Sequence, residues 1–76
     1  MHTPSILDPD LWFLRELQQE LQNLYSLNDA DADQLIQNSI IPKLLVTDPY
    51  HVHHDAPIYW AQFIGRKNQL QAKKPL

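Results

Sequence analysis

Three histidines and one aspartate stand within five residues at His51-Val52-His53-His54-Asp55, with Asp48 just upstream. Neutral imidazole is a good ligand for zinc, nickel or copper, so this cluster is the chain's first candidate for metal chemistry. On a helical turn His51 and His54 share a side with Asp55 nearby, and His53 points away. In an extended chain His51 and His53 share a side instead. Neither arrangement has the two histidines four apart, with a glutamate between, of the H-E-x-x-H zinc enzymes. The candidate ligand set is therefore His51, His54 and Asp55, weighed against a polar connector whose histidines hydrogen-bond neighbouring helix ends. The same histidines could titrate near neutrality, but no two-state element for a pH switch is visible.

Other chemistry is poorly supplied. Ser5, Ser26 and Ser39 are the serines, none in a glycine-flanked elbow, and there is no cysteine nucleophile. The alternating Asp29, Asp31 and Asp33 resemble the start of a calcium loop, but the glycine and the terminal glutamate of an EF-hand are missing. The remaining carboxylates fall mostly at helix starts, where capping explains them. A helical chain of 76 residues also leaves little room for a substrate pocket. The expectation is a protein without enzymatic activity and with no cofactor.

The elements that must position these groups are helical. Leu14, Leu17, Leu21 and Leu24 recur three, four and three residues apart, which keeps them on one helix side. With Leu11 they form the expected core stripe, flanked by Phe13, of a first helix running from Pro9 to Tyr25 or Ser26. Asp8 serves as N-cap, Pro9 occupies the first helical position, and Asp10 favours the positive helix end. Trp12 falls on the polar side, about 160° from Leu14 at 100° per residue.

A turn over Ser26–Ala30, with Asn28 or Asp29 as cap, leads to a second helix from near Asp31. It carries Leu35, Ile36, Ile40, Ile41, Leu44 and Leu45. Pro42 lies inside this pattern, where it removes a hydrogen bond and crowds the preceding turn, so a kink or break is expected around Asn38–Ile41. Thr47–Asp55 reads as a connector with one short helical turn at Pro49–His53. A third helix runs from about Ala56 to Lys67 or Leu70, with Tyr59, Trp60, Phe63 and Ile64 on one face. Gly65, the one glycine, either ends this helix or admits close approach of another backbone. The fold expected is all-α: one small three-helix domain over residues 1–76, with a loose lead-in at 1–7 and a disordered tail at 71–76.

Composition narrows function by exclusion. Without cysteine, disulfides and thiolate zinc sites are ruled out, so a thin core needs close helix packing or a partner. No signal peptide is recognisable and no apolar run is long enough to span a bilayer, so the reading is cytoplasmic with no membrane association. The net charge of −3 is uneven: residues 1–65 hold all nine acids but only Arg15 and Lys43, whereas residues 66–76 carry Arg66, Lys67, Lys73 and Lys74. Nucleic-acid binding needs a positive surface, which the helical part lacks; a small dimeric nucleic-acid binder and a His-cluster metal protein are the alternative readings.

The preferred reading is a protein-interaction module, acting as regulator, inhibitor or accessory subunit of a larger complex. Its partner is another protein or a second copy of itself. Tryptophan on a polar helix face is a frequent interface anchor. Trp12 is accordingly the leading contact residue, unless it folds over its own helix start onto the His-rich connector. Arg15, Tyr59, Arg66 and Lys67 are the other expected contacts.

Overall fold

The computed structural model describes residues 9–71. Five helices follow in order: α1 (Pro9–Tyr25), α2 (Asp29–Gln37), α3 (Ile41–Thr47), α4 (Pro49–His54) and α5 (Pro57–Lys67), with no strand among the described residues. The all-α class is as expected, but the three-helix count is corrected to five. The lead-in at 1–7, the Asp8 cap and all of the expected tail except Gln71 lie outside the described residues.

Proline accounts for most of the extra boundaries. Pro42, Pro49 and Pro57 each stand in the first turn of a helix, where their missing N–H breaks no hydrogen bond. Pro42 thus opens α3 instead of kinking a longer helix. The gap before it is closed by Ser39, whose hydroxyl donates to the Ile36 carbonyl (2.6 Å) and accepts from the Ile41 amide (3.1 Å). One serine therefore serves the end of α2 and the start of α3. Asn28 caps α2 by accepting from the Asp31 amide at 2.7 Å, and Asp48 caps α4 by accepting from His51 at 3.3 Å.

The C-terminal ends use left-handed residues other than glycine. Ser26 ends α1 at φ 57°, and Gln69 follows α5 at φ 58°. At α5 the Leu70 amide donates to Gly65 O (2.8 Å) and the Gln69 amide to Arg66 O (3.1 Å), the paired bonds of a Schellman motif. Gly65 lies inside α5 and is buried, so it does not end the helix. Nor does it meet another backbone: the Tyr25 side chain occupies the space where its Cβ would be.

The core is built on α1 and α5. Phe13, Leu17 and Leu21, spaced four apart, are buried on α1, and Trp60, Ala61 and Ile64 are buried on α5. Ala32 and Ile36 of α2, Ile41 of α3 and Val52 of α4 complete it. Full burial of Leu17 and of Leu21 contributes about 1.5–3 kcal/mol each before entropy. Tyr25 meets Gly65 near their C-terminal ends, and Trp12 and Phe13 line a groove with Pro57 near their N-terminal ends, so α1 and α5 run in the same direction. Gln18 and Gln22 of α1 donate to Asp29 (3.2 and 2.6 Å), fastening the start of α2.

The leucine stripe is corrected in detail. Leu14 and Leu24 are half-buried and Leu11 is 48% exposed, while Phe13, expected as a flank, is core. The reason is that α1 has two neighbours. Phe13, Leu17 and Leu21 join the common core with residues of α2 to α5, and α2 borders the side bearing Leu11 and Leu14 across a groove.

Candidate functional site

The densest polar chemistry still lies at α4, but the helix turns its histidines to different neighbours. The His51 ring packs edge-on against Trp60, with centroids 5.7 Å apart. The His53 ring packs edge-on against Phe13 (5.2 Å), and its Nε2–H donates to Asp10 Oδ1 at 2.6 Å. His54 tilts against Tyr50 (6.2 Å) and lies 3.7 Å from Asp55 through Nδ1. The expected ligand set of His51, His54 and Asp55 is not assembled, and no group of three or more His, Asp or Glu side chains positioned to hold a metal occurs among the described residues. Aromatic packing accompanies the dispersal: His51 lies on Trp60, His53 on Phe13 and His54 on Tyr50.

Beneath this segment, the Trp60 indole N–H donates to the Val52 carbonyl at 2.9 Å in a buried hydrogen bond. That bond satisfies a carbonyl in the last turn of α4 and locks α4 against α5. Tyr59 and Phe63 meet Trp60 edge-on at 5.3 and 5.6 Å.

An open groove of about 590 Å³ lies where the start of α1 faces the α4–α5 junction. Trp12, Phe13 and Glu16 form one wall, and His53, His54, Asp55 and Pro57 belong to the other. Trp12 and Glu16 share a face because they stand one helical turn apart. Trp12 faces the His-rich segment and yet remains 64% exposed, whereas Trp60 is 4% exposed. The two tryptophans therefore have opposite environments.

The remaining expected contacts do not gather around this groove. Arg15 lines a separate groove with Leu11, Leu14, Asp33 and Ile36. Lys67 lines a third, of about 470 Å³, with Ile40 and Phe63. Arg66 is exposed near the end of α5, and Tyr59 is exposed beside Trp60. Trp12 thus stands apart from Arg66 and Lys67, which lie toward the opposite end of α5. Glu16 and Pro57 were missed as groove residues. The four-residue spacing of Trp12 and Glu16 could have found the first; the second depends on tertiary packing.

No family model, curated protein or solved structure matches the chain. No helix among the described residues is long and apolar enough to cross a membrane.

Proposed function

We propose that this chain is a small non-enzymatic protein-interaction module, working as a regulator, inhibitor or accessory subunit, and that it docks its partner at the Trp12 groove. The observation that carries the reading is the exposure of Trp12. An indole left in water forfeits much of the free energy its burial would release, and a partner recovers it. The other tryptophan of the same fold is buried and hydrogen-bonded, so the domain does not need Trp12 for its own core. Trp12 also borders a concavity, the setting in which tryptophan acts as an anchor.

The test is site-specific photocrosslinking in the native host, with the reactive residue at position 12 and, as control, at the exposed Val46. A discrete adduct formed from position 12 and not from position 46, and a matching co-purification lost in Trp12→Ala, is the expected result. Failure of position 12 to give any adduct with another polypeptide would refute the docking reading.

A further inference from the structure

We infer that the Trp12 groove receives a lysine or arginine side chain presented by a partner protein. This inference rests on the docking reading above and gives the partner a chemistry. The groove has the three parts that such a side chain needs. Its wall carries an exposed indole, the aromatic face that binds cations best. Carboxylates stand on both sides, Glu16 on α1 and Asp55 at the α4–α5 junction. Pro9 and Pro57 supply an apolar surface along which the methylene stem can lie while its charged head reaches the carboxylates.

Charge complementarity selects this occupant over the others. Among the described residues, no lysine or arginine lines the groove. The surrounding sequence is acidic, since residues 1–65 contain nine acids against Arg15 and Lys43. An acidic segment would meet Glu16 and Asp55 without a compensating Lys or Arg. A purely apolar one would bury both carboxylates with only His54, 3.7 Å from Asp55, to offset the desolvation cost. Of the two histidines present, the His53 Nε2–H is already directed to Asp10.

The two indole N–H resonances give a direct assay, because Trp12 and Trp60 report on different places. The ¹⁵N-labelled protein is titrated at low salt with hexa-arginine, hexa-lysine, hexa-glutamate and an uncharged alanine-serine hexapeptide. The expected result is a saturable shift of the Trp12 indole with the two basic peptides only, while the Trp60 indole, held by Val52, stays in place. Glu16→Gln with Asp55→Asn should weaken binding at least tenfold, and Trp12→Ala should remove the shifts of neighbouring groove amides. A thermal melt of each variant verifies that it is folded.

Absence of binding by either basic peptide up to millimolar concentration would overturn the inference, as would equal binding of the acidic or uncharged peptide. A Trp12 shift that follows protein concentration without added peptide would also overturn it, in favour of a second copy. The two readings fail separately. A position-12 adduct with no response to basic peptides removes the cationic partner class and leaves docking intact. Saturable binding of basic peptides with no protein adduct refutes docking, and with it the protein partner, while leaving the groove's preference for cations.

Discussion

Tyr25 lies across Gly65, so that a methyl group at position 65 would overlap its hydroxyl oxygen and Cζ. Two helices 40 positions apart in sequence approach closely here because one of them lacks a side chain. Gly65→Ala has two opposing effects. Alanine is about 1 kcal/mol better than glycine inside a helix, whereas overpacking costs about 1–3 kcal/mol. The expected outcome is a net loss of about 1 kcal/mol in urea unfolding. Adding Tyr25→Ala should turn the effect of Gly65→Ala from unfavourable to neutral or favourable, and a double-mutant cycle measures that coupling. A stabilising Gly65→Ala in the otherwise unaltered chain would contradict the packing described.

The two tryptophans should respond oppositely to substitution. Trp12→Ala removes a largely solvated side chain and is expected to change the unfolding free energy by less than about 1 kcal/mol. Trp60→Phe leaves the buried Val52 carbonyl without its donor and should cost about 1–3 kcal/mol for that group alone. Denaturant curves of both variants, with far-ultraviolet dichroism to follow helicity, check the contrast.

Left-handed residues at helix ends offer stabilisation. Ser26 and Gln69 adopt φ near 57° and 58°, where a β-carbon costs about 1–2 kcal/mol. Glycine removes that cost but adds freedom to the unfolded chain. Ser26→Gly and Gln69→Gly should each gain about 0.5–1 kcal/mol, and together their gains should add. Thermal melts of the two single variants and the double variant read this out.

The serine between α2 and α3 carries two hydrogen bonds at once. Ser39→Ala should cost about 1–2 kcal/mol, since it removes an acceptor from the Ile41 amide and a donor from the Ile36 carbonyl. Amide hydrogen exchange should show the loss first at Ile41. Unchanged protection there would mean that the hydroxyl does not hold the junction.

What could be read in advance was local. The extent of α1 follows from proline at its start and apolar periodicity along it, both short-range effects. The cap of α2 is legible for the same reason, as Asn28 or Asp29, and the structure uses Asn28. The position of Pro42 admitted either a kink or a break around Asn38–Ile41; α2 ends at Gln37 and α3 begins at Ile41, and Ser39 satisfies both helix ends across the break. Periodicity showed that α1 has apolar positions, but not that two helices would cover different sides, which is why Phe13 is core and Leu11 is not. The His-rich segment was legible as composition only. Its rings are dispersed by Trp60, Phe13 and Tyr50, and the His53–Asp10 bond spans 43 positions with no local signal. The groove was half legible: Trp12 stood out on a polar face with the His-rich connector as one possible neighbour, but Pro57 in the opposing wall required knowing that α1 and α5 run side by side.

That side-by-side arrangement also bears on biosynthesis. A ribosome makes Leu17 and Leu21 before Trp60 and Ile64, which belong to the same core. Until α5 emerges, the nascent first helix has only the earlier helices for shelter, His53 of α4 against Phe13 among them, and its core stays incomplete and open to chaperones or aggregation. Completion of the last helix, rather than formation of the first, is therefore the step that commits the newborn polypeptide to its native state.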